Sequence, residues 1–144
     1  MSAALRLLAR EADDLAVISA ALQDAVLRVG DIRWDPRQRS LTLALNRFLW
    51  EAEAESSAAA MRVRSGLQLG GVTKVRARNL RRDAADAVLE LLAMTFEVGE
   101  APGGVVRLAF ADGADLAAEV ECIDAALADL SAPWKTTRKP GHAT

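Results

Sequence analysis

Seven cations and no acid lie between residues 62 and 82: Arg62, Arg64, Lys74, Arg76, Arg78, Arg81 and Arg82. The chain holds eighteen Lys and Arg against twenty Asp and Glu, so only eleven bases face all twenty acids elsewhere. The formal net charge of −2 therefore hides a segregated distribution. In extended chain, residues two apart point to one face, so Arg62 and Arg64 share a side, as do Lys74, Arg76 and Arg78. If Gly70–Gly71 is a hairpin turn, the two runs are neighbours and their cations line one face. Like charges set opposite each other repel, and such a face calls for an anion such as an acidic protein segment or a phosphate. The competing reading is a solvated face neutralised by acids, such as those of "EAEAE" at 51–55, folding near it. No aromatic side chain interleaves the cations, which argues against stacking on single-stranded bases and makes nucleic acid the least favoured partner.

Other chemistries are thinly supplied. The one histidine, His142, lies in "KTTRKPGHAT", which reads as a disordered tail over 135–144. A general base must be held within hydrogen-bond reach of its proton, so Ser–His and Cys–His nucleophile pairs are excluded. Cys122 is the one cysteine. Glu119, Glu121 and Asp124 around it disfavour a thiolate, and it reads as a small buried hydrophobe. One Cys and one tail His cannot build the usual zinc set. The pairs Glu119/Glu121 and Asp112/Asp115 offer acid–base work or a hard-cation site in principle. Neither has a Lys, Asn or third acid at a telling spacing, so turn chemistry and solvation explain them. "GEAPGG" at 99–104 lacks the following helix and the Lys–Ser/Thr pair of a phosphate loop, and reads as a hairpin loop. No catalytic residue, metal ligand or cofactor site is expected. The favoured function is a non-enzymatic binding or interaction module. The alternative is an enzyme using carboxylates or a metal in a cleft that the sequence does not reveal.

The elements that must carry these residues follow from hydrophobic spacing. Leu15, Ile18, Leu22 and Ala25 form one helical face, with Asp13 or Asp14 as the cap. Leu27, Val29, Ile32 and Trp34 have a strand-like pattern that Gly30 interrupts, and "DPRQRS" at 35–40 is a turn. Leu41, Leu43 and Leu45 alternate cleanly, but Phe48 and Trp50 fall on the other parity. That slip predicts a bulge near Asn46–Arg47. The segment 51–60 reads as an acidic connector. Strands resume at Met61 and again after Gly70–Gly71. Residues 83–98 mix helical and strand signals and are read as a turn followed by a strand from about Leu89 to Val98. Asp112–Gly113 marks a hairpin, with Val106, Leu108 and Phe110 facing Leu116, Ala118 and Val120. Ile123, Ala126, Leu127 and Leu130 give a closing helix that Pro133 stops. Trp34, Trp50, Phe48, Phe96 and Phe110 are expected in the core, with Trp50 the one suspected of a surface groove.

The expectation is one α+β domain over 1–134, followed by the tail. It would hold a strongly curved antiparallel sheet of about seven strands between an N-terminal and a C-terminal helix. A single thiol favours a reducing compartment. No run of about 18 apolar residues is present to span a membrane, and the N-terminus lacks a signal-peptide pattern, so a cytoplasmic protein is expected.

Four stretches taken together, "DDLAVISAALQDAV", "LNRFLWE", "FEVGEAPGGVVRLAFADG" and "EVECIDAALADL", resemble a family of short alphaproteobacterial proteins known as domain of unknown function 2948. The resemblance runs from about Leu5 to Trp134. It implies a bacterial cytoplasmic single-domain protein and supplies no activity, cofactor or site residue. Separately, seven strands and a final helix are similar in element order to the pleckstrin-homology-type split barrel.

Overall fold

Alternating apolar residues become strands along most of this chain, and where the strands go is decided by long-range pairing. The computed structural model describes residues 4–49 and 61–135. The expected acidic connector, Trp50, and residues 136–144 of the expected tail, with His142, lie outside them, whereas Lys135, the first residue of that tail, pairs with Met61. In chain order the elements are β1 (Arg6–Ala9), α1 (Ala12–Leu22), β2 (Val26–Arg28), β3 (Ile32–Asp35), β4 (Ser40–Phe48) and β5 (Met61–Leu69). There follow β6 (Val72–Arg78), β7 (Val88–Val98), β8 (Gly104–Phe110), β9 (Asp115–Val120), β10 (Ala125–Asp129) and β11 (Trp134–Lys135).

All eleven strands join one antiparallel sheet, in the order β1-β10-β5-β4-β2-β7-β8-β9-β6, with β3 beside β4 and β11 beside β5. The sheet does not close. The expected fold class is therefore corrected: eleven strands replace about seven, α1 is the one helix among the described residues, and no split barrel flanked by two helices forms.

The missing closing helix has a physical cause. "CIDAALADL" is rich in good helix formers, but propensity is a weak prior that tertiary pairing overrides. β10 pairs on one side with β1 (Leu7↔Leu127) and on the other with β5 (Leu127↔Leu67), so its backbone is satisfied by two ladders. Ile123, Ala125 and Leu127 are buried at period two, while Leu130 is 63% exposed. The expected bulge near Asn46–Arg47 is also absent. The β4–β5 ladder runs unbroken from Leu41↔Leu69 to Phe48↔Arg62. Arg47, not a hydrophobe, occupies the next inward position after Leu45, and Phe48 is buried on the opposite face.

α1 packs against β7 and β1. Asp14 accepts the Arg10 N–H ahead of the first turn, and Leu15, Ile18 and Leu22 are buried. Ser19 Oγ accepts the Met94 N–H at 2.9 Å, which ties the helix to β7. Of the residues that patterning places in the core, Leu15, Ile18, Leu22, Leu43, Leu45, Phe48, Leu108, Phe110, Ile123 and Leu127 are buried, whereas Trp34 and Phe96 are only half-buried against it.

Candidate functional site

The seven cations do not form one face. Gly70–Gly71 makes a sharp turn, with Gly71 at φ +64. A Cβ on Gly70 would lie 2.6 Å from Asp124 Oδ2, so a side chain there would make the exposed Asp124 carboxylate swing aside. But the turn does not pair the strands it joins. β5 lies between β10 and β4, whereas β6 is the far end of the sheet beside β9. The expected neighbourhood of Arg62 and Arg64 with Lys74, Arg76 and Arg78 is thus corrected.

On β6, Lys74, Arg76 and Arg78 are exposed. Their β9 partners are Glu119, Ala117 and Asp115. Arg76 Nη2 lies 3.3 Å from Glu119 Oε2. One strand further on, Arg107 of β8 lies 3.7 Å from Asp115 and forms two hydrogen bonds to Glu97, at 3.2 and 3.3 Å. Those hydrogen bonds hold the Glu97 carboxyl below its ordinary pKa. The surface is therefore an alternation of rows, basic then acidic, and not a block of positive charge.

Arg62 and Arg64 lie instead over β4. Arg62 Nη1 donates to the Asn46 carbonyl at 3.0 Å. Arg64 donates to Asn46 Oδ1 and to Asp31 Oδ1, each at 3.2 Å. Burial lowers the pKa of the Arg62 guanidinium, and the charges of Glu90 and Asp24 oppose that shift. Arg28, Asp31, Asn46 and Arg64 line a polar hollow of about 370 Å³. Both signs of charge are already present there.

A third locus lies where the sheet fails to close. Among the described residues β3 pairs only with β4 and β6 only with β9, so each keeps an edge that no described strand covers. Between them runs a groove of about 510 Å³. Ile32 and Trp34 of β3, Val75 and Ala77 of β6, and Leu41 and Leu116 line it. The Val72 N–H donates to the Arg39 carbonyl at 2.8 Å, fastening the start of β6 to the β3–β4 turn. The Gly30 N–H donates to the Ala85 carbonyl at 2.9 Å, fastening the 3-10 turn before β3 to the loop before β7. A Cβ on Gly30 would come within 3.2 Å of that carbonyl oxygen. Val29, Leu80 and Arg82 add to the lining, and among the described residues Arg82 is its one charged member. Arg81, by contrast, lines a separate hollow with Asn79 and Asp112.

Over residues 5–142 the sequence matches the family described as "Protein of unknown function (DUF2948)". The chain belongs to that family. No curated protein and no solved structure matches it.

Several acids of this DUF2948 chain serve as partners for arginine. Glu121 takes Arg39 at 3.2 Å, Glu119 takes Arg76 and Asp31 takes Arg64. Asp112 sits in the β8–β9 turn at φ +67, apart from Asp115 within β9. Among the described residues no three of His, Cys, Asp or Glu stand together as a metal-holding group. Cys122 is exposed, which corrects the expectation of a buried thiol. The "GEAPGG" loop does join strand to strand, β7 to β8, and Glu100, Glu119 and Glu121 surround the hollow beside it, which suits no anion. Sequence reasoning placed Trp34 in the core and passed over Val75 and Ala77 between the cations. The half-buried state of all three comes from lying at edges that no described strand covers, and no local pattern signals that.

Proposed function

We propose that this DUF2948 protein is a non-enzymatic binding module that takes a small, largely apolar ligand in the groove between β3 and β6. The observation that carries the reading is two strand edges, covered by no described strand, whose apolar side chains bound a single cavity of about 510 Å³. Ligand sites of roughly 300–1,000 Å³ are typically concave, mostly apolar and furnished with few polar groups. The groove matches in volume, and apart from Gly30 and Arg82 its described lining residues carry apolar side chains, although backbone polar groups are also exposed within it. The β6 cations support docking of an acidic partner less well, because Glu119 and Asp115 already stand opposite Lys74 and Arg78. The exposed Cys122 thiol fits a reducing compartment.

Trp34 in the groove wall gives the test a reporter. Titration with the neutral fluorophore N-phenyl-1-naphthylamine should brighten the probe saturably and quench or shift Trp34 emission in a protein carrying Trp134→Phe and Trp50→Phe. Filling the groove by Ala77→Phe, or by Val75→Phe as a second variant, should abolish saturable binding while thermal unfolding stays cooperative. Undiminished binding in a folded groove-filled variant would show that the ligand sits elsewhere. Specific turnover of a substrate by the wild-type chain would replace the binding reading with the catalytic one.

A further inference from the structure

We infer that the ligand is an amphiphile with one anionic head, an aliphatic or aromatic carboxylate, and that Arg82 receives the head at the rim of the groove. The inference rests on the groove reading and adds the ligand's charge.

Among the described residues, Arg82 is the one ionisable residue of the groove's lining, and no carboxylate lines the cavity. Arg82 is exposed, and among the described residues it makes no ion pair and no side-chain hydrogen bond. The other cations that shape hollows or faces are committed: Arg64 to Asp31 and Asn46, Arg76 to Glu119. A guanidinium presents a planar fork of donors that matches a carboxylate in two parallel hydrogen bonds. The remaining walls are aliphatic or aromatic and suit the body of such a molecule.

The same inventory limits the head to a single charge. A phosphate monoester or nucleotide carries more than one charge and several acceptors, and the lining supplies one cation. Unmatched acceptors drawn into the apolar part would carry the desolvation penalty of unpaired polar groups. A cationic or neutral amphiphile would leave Arg82 without a role.

The experiment displaces N-phenyl-1-naphthylamine from the full chain with decanoate, decanol or decyltrimethylammonium, at two salt concentrations. Wild type should take decanoate about tenfold more tightly than decanol, the low end expected for a charge-assisted hydrogen bond at a solvated rim. That preference should shrink with salt. Arg82→Met should abolish the preference without changing decanol affinity, and Arg82→Lys should keep part of it. Equal binding of decanoate and decanol by wild type, or an undiminished preference in Arg82→Met, overturns the assignment of the head and leaves the groove intact. Failure of all three compounds, with the probe itself unbound, overturns the groove and this inference with it.

Discussion

Arg47 and Asp129 meet inside the sheet, with Nε 2.9 Å from Oδ1 and Nη2 3.1 Å from Oδ2. Arg47 is 1% exposed. Ser65 Oγ donates to Oδ1 at 2.7 Å and the Leu5 N–H donates to Oδ2 at 2.8 Å. The carboxylate thereby joins β4, β5 and β10 to the segment before β1. Removing one member leaves the other charge buried, which costs about 3–5 kcal/mol. Arg47→Met and Asp129→Asn should each destabilise strongly in urea unfolding. The double variant Arg47→Met/Asp129→Leu should lose far less than the sum of two single losses.

The same carboxylate sets an acid response. Burial by itself would raise the Asp129 pKa, but hydrogen bonds from Arg47, Leu5 and Ser65 outweigh it, and the pKa lies below its ordinary value. In that range the unfolded state binds the extra proton, so stability rises with pH. Its contribution is complete above the ordinary carboxylate range and fades as pH falls through the depressed folded value. Unfolding free energy measured from neutral pH downward should decline, and Asp129→Asn should flatten that decline. An equally steep decline in the variant would assign the acid response to other groups.

Gly104 opens β8 opposite Val98 and Val120. A Cβ there would fall 2.7 Å from Phe96 Cζ and collide with the Glu97 carbonyl. Gly104→Ala should cost about 1–3 kcal/mol as overpacking. Gly66→Ala is the contrast: its Cβ would meet the end of the exposed Leu130 side chain at 3.3 Å, which can swing away. Its melting temperature should stay close to wild type.

Lys74, Arg76 and Arg78 replaced together by Gln test the alternating surface. Exposed pairs are worth little and are screened by salt. The melting temperature should fall only slightly at low salt, and the difference should vanish as salt is added. Wild type and variant should both leave a heparin column at about 0.1 M salt, where charges are screened over about 10 Å. Strong retention of wild type alone would restore the acidic-partner reading.

Local patterns were readable where local forces decide. The Asp35 carboxylate accepts the Arg37 and Gln38 N–H groups in the expected turn. Asp112 and Gly113 adopt the positive φ values, +67 and +84, that favour such a pair at a hairpin. What escaped was set between distant residues. β10 is a strand because β1 and β5 lie on either side of it, and no window around Ala125 contains them. Arg47 sits inward because Asp129 waits 82 residues away to neutralise it. Of the candidate site, the cations were visible, but their division among four places was not, because it follows from β6 pairing with β9 and not with β5. Arg82 became notable only once its apolar neighbours had been brought together.

The pairing of β1 with β10 also has a consequence for synthesis. As the chain is made, β1 and α1 emerge first, yet β1 has no partner until residues 125–129 follow. β5 waits as long for the strand on that side. Pairings this distant in sequence form slowly. In that interval β5 presents an unfilled edge, the kind of template on which another nascent chain can pair. Production at lower expression level should therefore raise the yield of correctly folded protein, because fewer neighbouring chains with open β5 edges are present before β10 arrives.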